Sequence, residues 1–499
     1  MPKHPVVGPT FRSGVFRSGV IGLLFLTAAC ATNPATGERQ LSFMSEEKEI
    51  ALGQENDVQV RQEMGSYDDR ALQEYVTTVG MKLAQASERP GLPWHFTVAD
   101  VPAVNAFALP GGYIYITRGI LAFLDDESQL AGVLGHEIGH VTARHAASQY
   151  SKSTLSQIGL IGAAIFAPGG PAIAQAGGTG LGLLLLKNSR DDEAQADGLG
   201  VRYASRAGWD PAGIPRMLTT LGRIEEASDS KGVPNWLQTH PQPEDRVQRV
   251  QAAVREAETG AQKFTTDRNG YLQKMKGLVW GDSPEQGIVR GSRFLHKGLR
   301  FEFEFPAGWT IQNGQTQVAA KEPNGQSVMV LEQIRRPPGR TIDDTAIITM
   351  QNAGFRQVDG GPTTINGLQA YLGSYVGALQ NFGRVQVRAL FLKNVVSGFS
   401  RTDGVYFVAG IAPIDAYPNV SSAFSKSLES FRSMSAADAE RLQPNRIDLY
   451  TAREGDTWQS IAERQSKSII KATTLAVMNG HPVNDQPPPG ERLKIVVGE

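Results

Sequence analysis

The chain has 499 residues, 40% of them hydrophobic and 20% charged, with a formal net charge of −1. That length exceeds one typical domain, and a charge so near zero excludes a general pull toward nucleic acid, so no nucleic-acid partner is expected. The single cysteine, Cys30, excludes an intrachain disulfide and leaves the rest of the chain without a thiolate metal ligand.

Residues 1–30 read as an export signal. Lys3, Arg12 and Arg17 make a basic start, Val20 to Leu26 an apolar run, and Thr27, Ala28 and Ala29 a small-residue cleavage site before Cys30. The run is too short to span a bilayer as a mature helix. The segment resembles a bacterial lipoprotein signal, although Thr27 stands where such signals usually carry Leu. The resemblance implies an exported chain, lipidated on Cys30 and held to a membrane by that anchor. With Ala31 rather than Asp next, it implies the periplasmic side of an outer membrane; without the lipid the protein would be soluble in the periplasm. Residues 31–44, polar and carrying Pro34 and Gly37, read as a tether.

A first domain is expected over 45–256. Ser45 is a good cap for a helix whose first turn carries Glu46 and Glu47. Residues 93–98 read as a strand. Residues 104–109 and 113–117 alternate around Pro110-Gly111-Gly112 and predict a hairpin. Such a hairpin either offers a free edge to an extended peptide or is simply half-buried. His95 reads as structural.

Asp125 and Asp126 predict a helix to about Ser148, containing His136-Glu137-Ile138-Gly139-His140. Residues four apart share a helix face, so both imidazoles can reach one ion, with Glu137 beside a water on it. Zinc, one per chain, is the expected metal. Gly135 and Gly139 cost helix stability, about 1 kcal/mol each, which implies close packing against another element. His145 is nine residues past His136, about 180° round a continuous helix, and is not expected to be a ligand. Ala146 stands where a metzincin would need its third histidine. The third ligand must come from elsewhere. In the acidic run at 191–197, Glu193 and Asp197 share a face; one carboxylate can ligate while the other holds a ligand histidine's free nitrogen.

His136 to His140, Asn105 to Gly112, and Glu193 with Asp197 together resemble the M48 family of zinc metallopeptidases, over about residues 41–256. The resemblance implies a mainly helical gluzincin-type domain with a small sheet. It implies His136, His140 and Glu193 as zinc ligands, Asp197 behind them, and Glu137 as general base. It resembles the periplasmic, outer-membrane-assembly-enhancing members, which implies unfolded or misassembled envelope polypeptides as substrates. His240, in Thr239-His240-Pro241, matches a family histidine that either takes the fourth metal position and keeps the enzyme latent, or polarises the oxyanion. The Gly-rich apolar stretch 155–186 is either buried helices or a surface hairpin, a flap over the cleft, or a membrane-touching hairpin.

Residues 257–289 read as linker and polar helix. An α+β accessory domain is expected over 290–435, from alternation such as Phe301, Phe303 and Phe305; its His296 stands alone. Residues 445–499 read as strand, helix, helix, strand. With Gly455-Asp456-Thr457 and Pro489-Gly490, this order resembles a LysM module, which implies peptidoglycan as a partner or a stabilising appendage that binds nothing. The expected fold class is therefore α+β. The expected function is a zinc endopeptidase of envelope protein quality control; the alternative is a chaperone-like or peptidoglycan-bound scaffold with a latent zinc site.

Overall fold

The computed structural model describes residues 30–151, 188–227, 236, 239–240, 245–258 and 263–498, apart from 315–316, 324, 335–336, 380–381 and 394–403. Residues 1–29 of the expected signal and the apolar stretch 155–186 lie outside these. Among the described residues, no helix is long and apolar enough to cross a membrane.

Capping side chains start the helices where the sequence offers them. Ser45 accepts from the Lys48 N–H at the head of α1 (Glu46–Met64), and Asp69 from the Leu72 N–H at the head of α2 (Arg70–Gln85). The 31–44 stretch ahead of α1, expected as a tether, forms a short antiparallel hairpin of β1 (Cys30–Thr32) and β2 (Arg39–Leu41). Its Asn33 and Ser42 are buried.

Strands β3 (His95–Ala99), β4 (Ala106–Leu109) and β5 (Tyr113–Thr117) form a sheet in the order β3-β5-β4. β3 runs parallel to β5, while β4 and β5 make the expected hairpin, leaving β4 outermost. Gly111 turns the hairpin at φ 78°, and a Cβ there would lie 2.5 Å from the Ile50 Cα. Only glycine allows α1 to cross the turn so closely.

A short α3 (Arg118–Phe123) leads to α4 (Glu127–Thr142), capped by Asp126 and buried from Ser128 onward. Against α4 packs α5 (Arg190–Arg206). A Cβ at Gly139 would lie 2.9 Å from the Ala196 carbonyl oxygen, and one at Gly135 3.3 Å from the Gly200 Cα. The helix-breaking cost of the two glycines is thus exchanged for backbone-to-backbone approach of the two helices. α6 (Gly213–Ala227) and α7 (Arg246–Ala257) complete this layer.

The stretch expected as a linker is part of the core. It contains α8 (Arg268–Met275), whose Tyr271, Leu272 and Met275 are fully buried, and β6 (Val279–Trp280). Three apolar residues among polar ones suffice here because Tyr271 also donates its hydroxyl to the Leu121 carbonyl at 2.6 Å.

At the far end of the sequence, β7 (Asn445–Thr451), α9 (Trp458–Arg464), α10 (Ala472–Met478) and β8 (Arg492–Val497) follow in the expected β-α-α-β order. β7 and β8 pair antiparallel, and β7 also pairs with β6. The unit has no core of its own. Trp458, Ile461, Leu475, Met478 and Val496 belong to one hydrophobic cluster with Leu130, Leu134, Ile214 and Met217 around the α4 helix.

Between β6 and β7 lies a second body. Its seven-stranded antiparallel sheet spans Thr310–Asn313 to Val405–Pro413. Side chains alternate between two cores: Leu390 and Leu392 enter the one built on Phe303 and Phe424, Ala389 and Phe391 the one built on Met350 and Tyr375.

Candidate active site

Four donors converge in the groove between α4 and α5. His136 and His140 project from one face of α4, with their Nε2 atoms 3.0 Å apart. Glu193, in the first turn of α5, places Oε2 3.5 Å from the His136 Nε2 and Oε1 3.4 Å from the His140 Nε2. His240 adds its Nδ1, 3.3 Å from the His136 Nε2 and 2.9 Å from Glu193 Oε1. All four side chains are buried.

The acidic run divides its labour. Ser189 caps α5 and Asp192 closes the capping box, while Asp191 faces solvent. Glu193 and Asp197, one turn apart, turn inward. Asp197 Oδ1 lies 2.9 Å from His136 Nδ1, which favours a proton on that nitrogen and, in the neutral ring, leaves Nε2 with a lone pair toward the cluster. Asp197 is itself held by Arg246, whose Nε and Nη2 donate to its two oxygens at 2.8 Å each. The third guanidinium nitrogen, Nη1, lies 2.9 Å from Glu193 Oε2.

The electrostatics of the cluster call for a cation. Burial opposes ionisation of Glu193, yet His240, His136 and His140 hold its carboxyl well below the usual range. Burial likewise opposes ionisation of Asp197, and Arg246 and His136 hold it low. Burial alone would lower His136, but Asp197 and Glu193 push it up to about 9.

The spacing suits zinc. Ligands bound tetrahedrally at about 2.0–2.1 Å from the ion lie roughly 3.3–3.4 Å from one another. The donor separations of 2.9 to 3.5 Å bracket that value. The nitrogen and carboxylate donor set is one that zinc accepts.

Glu137 lies beside the cluster without joining it. Its Oε1 is 3.6 Å from the His240 Nε2 and has no hydrogen-bond partner among the described residues. Burial raises its carboxyl above the ordinary range. A small cleft of about 40 Å³ opens here, lined by Phe107 and Ala108 of β4, by Glu137 and His140, and by His240. His240 is packed in place: Trp236 stacks on its ring at 4.7 Å, and its backbone N–H donates to the Trp236 carbonyl. Arg246 lies over the other ring of that stack, 5.0 Å from the Trp236 centroid.

The structure therefore brings together Glu137, His136, His140, Glu193, Asp197 and His240. For Cys30 only the backbone, in β1, is described. His95 is stacked on Tyr113, away from the cluster. His296 packs between Phe294 and Phe301 in the second body.

His145 departs from expectation. The helical wheel placed it opposite His136, but α4 ends at Thr142 and Arg144 takes a left-handed φ of 59°. That conformation is secured by the Arg144 guanidinium, which bonds Glu49 at 2.9 Å and the Met44 carbonyl at 2.5 Å. The chain doubles back, and His145 Nδ1 comes to 2.8 Å from His140 Nδ1. Arg246 and Asn188 were also not foreseen. Asn188 sets its Nδ2 3.3 Å from the His240 Nδ1. Only the acidic-basic cluster at 244–246 hinted at Arg246.

Comparison with known proteins agrees with this geometry. The pattern of the peptidase family M48 matches residues 70–254. The beta-barrel assembly-enhancing protease of Escherichia coli (strain K12) is 33% identical over 260 residues, 50% of this chain and 52% of that protein. The mitochondrial metalloendopeptidase OMA1 of Schizosaccharomyces pombe is 30% identical over 257 residues, 50% of this chain and 74% of that protein. This chain thus spans about half the length of the bacterial relatives it matches. Among solved structures, cyanobacterial PsbP from Synechocystis matches 29% of this chain and 95% of its own at 14% identity, with a TM-score of 0.23.

Proposed function

The chain belongs to peptidase family M48, and on that premise we propose that it is a zinc-dependent endopeptidase. The observation that carries this reading is the convergence of His136, His140 and Glu193 on one point, with the unpartnered carboxylate oxygen of Glu137 beside it.

His136, His140 and Glu193 would hold one zinc per chain. When bound, zinc supplies Lewis-acid polarisation of the scissile carbonyl and of the attacking water. Glu137 takes the proton from that water at its free Oε1 and returns it to the leaving amine; its raised proton affinity suits both steps. Asp197 and Arg246 hold the His136 ring in its lone-pair orientation. The outer strand β4 lines the cleft, so an extended peptide can pair with its edge and present a backbone bond to Glu137.

His240 acts as a gate. Its Nδ1 occupies a place in the donor set and its Nε2 faces Glu137, so the described arrangement is a latent one. The physiological substrates are unfolded or misassembled envelope polypeptides, met on the periplasmic side of the outer membrane, where a lipid on Cys30 anchors the chain. The C-terminal β-α-α-β unit, similar in order to LysM, serves as a brace. A peptidoglycan pull-down with the full chain tests whether it also binds glycan.

Zinc content and casein cleavage, measured together, test the main reading. Glu137→Gln should keep the zinc and lose cleavage. Cleavage of casein by that variant at the wild-type rate would remove Glu137 from its role, and a wild-type chain without zinc would remove the whole reading.

A further inference from the structure

We propose that His145, Gln195 and Asn33 form a hydrogen-bonded relay that fixes the tautomer of His140, and so make the N-terminal hairpin a positioning element of the metal centre. The proposal rests on the zinc reading above.

The assignment starts from a backbone group whose proton is not in doubt. The Ala35 N–H donates to Asn33 Oδ1 at 2.9 Å, so the other end of that amide, Nδ2, is the end turned toward Gln195. It donates to Gln195 Oε1 at 3.0 Å. The same oxygen lies 2.9 Å from His145 Nε2, which must therefore carry a hydrogen. A neutral imidazole has one N–H, so His145 Nδ1 is bare and accepts from His140 Nδ1 at 2.8 Å. His140 Nε2 is left with a lone pair aimed at the point it shares with His136 Nε2 and Glu193. The opposite tautomer would put an N–H there, and the ring could not ligate.

The two imidazoles are thus set by different means. His136 is fixed by a carboxylate that a buried guanidinium holds by two bonds. His140 is fixed through the neutral groups of His145, Gln195 and Asn33, with the Asp192 carboxylate 3.6 Å from His145 Nε2 also favouring a hydrogen on that nitrogen, and Asn33 belongs to a different part of the fold. Asn33 opens the turn between β1 and β2, where its carbonyl accepts from the Gly37 N–H at 2.8 Å. It is 4% exposed, as is His145, so water does not replace these bonds cheaply. Two further contacts seat the segment on the stretch that follows α4: the Phe43 N–H donates to Ser151 Oγ at 3.1 Å, and Arg144 donates to the Met44 carbonyl. Displacing the hairpin would free the Gln195 amide to rotate and present its NH₂ to His145, reversing every proton in the relay.

The test is zinc affinity by chelator competition on the full chain, with zinc-free thermal unfolding measured alongside. His145→Ala and Gln195→Met should each weaken zinc roughly ten- to hundredfold, with the zinc-free melting temperature near the wild-type value. Gln195→Glu, whose carboxylate can only accept, should keep the wild-type affinity. Asn33→Ala should weaken zinc in the wild-type background but not on Gln195→Glu, because a carboxylate needs no neighbour to tell it which atom to present. Wild-type affinity in Gln195→Met, or an equal loss from Asn33→Ala in both backgrounds, would overturn the relay. Zinc uptake that survives removal of both His136 and Glu193 is a separate result, which removes the metal reading and the relay with it.

Discussion

The Lys494 ammonium lies 3.2 Å from the Asp125 carboxylate, joining the last strand of the fold to the residue just before the cap of the metal-site helix. Lys494 is fully buried and also donates to the carbonyls of Ala122 at 2.9 Å and Leu124 at 2.5 Å. Its charge serves the segment from which α4 starts. Lys494→Met would leave Asp125 and two carbonyls buried without that donor. The expected loss is about 3–5 kcal/mol in denaturant unfolding, and Asp125→Asn in the same chain should recover part of it.

Removing His240 should open the latent site. His240→Ala is expected to keep zinc, since three protein ligands suffice for a catalytic centre, and to raise casein cleavage. Loss of zinc on dialysis of this variant would instead make His240 an obligatory ligand.

Arg246 neutralises two buried carboxylates, Asp197 and Glu193. Arg246→Met should destabilise the zinc-free chain by about 3–5 kcal/mol. The loss should be smaller at saturating zinc, because the cation takes over part of the neutralisation. Guanidinium unfolding with zinc and with chelator measures the difference.

Gly139→Ala tests the contact between α4 and α5. The new methyl would meet the Ala196 carbonyl, which is backbone and cannot swing aside. A cost of about 1–3 kcal/mol is expected, despite the better helix propensity of alanine, together with weaker zinc binding as Glu193 is pushed away from the histidines.

A pH effect is expected in the second body. Burial lowers His296 from its ordinary 6.5 to about 4, with Glu285 opposing. The unfolded chain therefore binds this proton first, and the stability due to a neutral His296 is present above pH 6.5 and lost as pH falls toward 4. His296→Leu should lose less stability than wild type over that window, read as the difference between their denaturation midpoints.

What could be read from the sequence follows how local the determining physics is. The spacing of His136 and His140 is a property of one helix, and the pairing of Glu193 with Asp197 a property of another. The glycines of α4 announced a close neighbour without naming it. His145 stays out of the four-donor cluster as expected, but its position was misread because the helical wheel presumes a continuous helix, whereas the left-handed turn at Arg144 is imposed by Glu49 and Met44, about a hundred residues away in sequence. Asn33 and Lys494 carried no local signal. A polar residue in a short turn and a lysine in an edge-like strand both read as solvated until the fold buries them.

The pairing of Asn445 with Trp280 and of Arg446 with Val279 has a consequence for how the molecule could be taken apart. The polypeptide leaves the peptidase body at one strand and re-enters it at the neighbour, about 5 Å away. The great antiparallel sheet between them is a detour, inserted into a body whose two halves are far apart in sequence. A short loop joining 280 to 445 should excise the detour and leave the peptidase body closed. Cutting the chain near 290, where a beads-on-a-string reading would cut, should instead strip β7, β8, α9 and α10 from the core around the zinc-site helix.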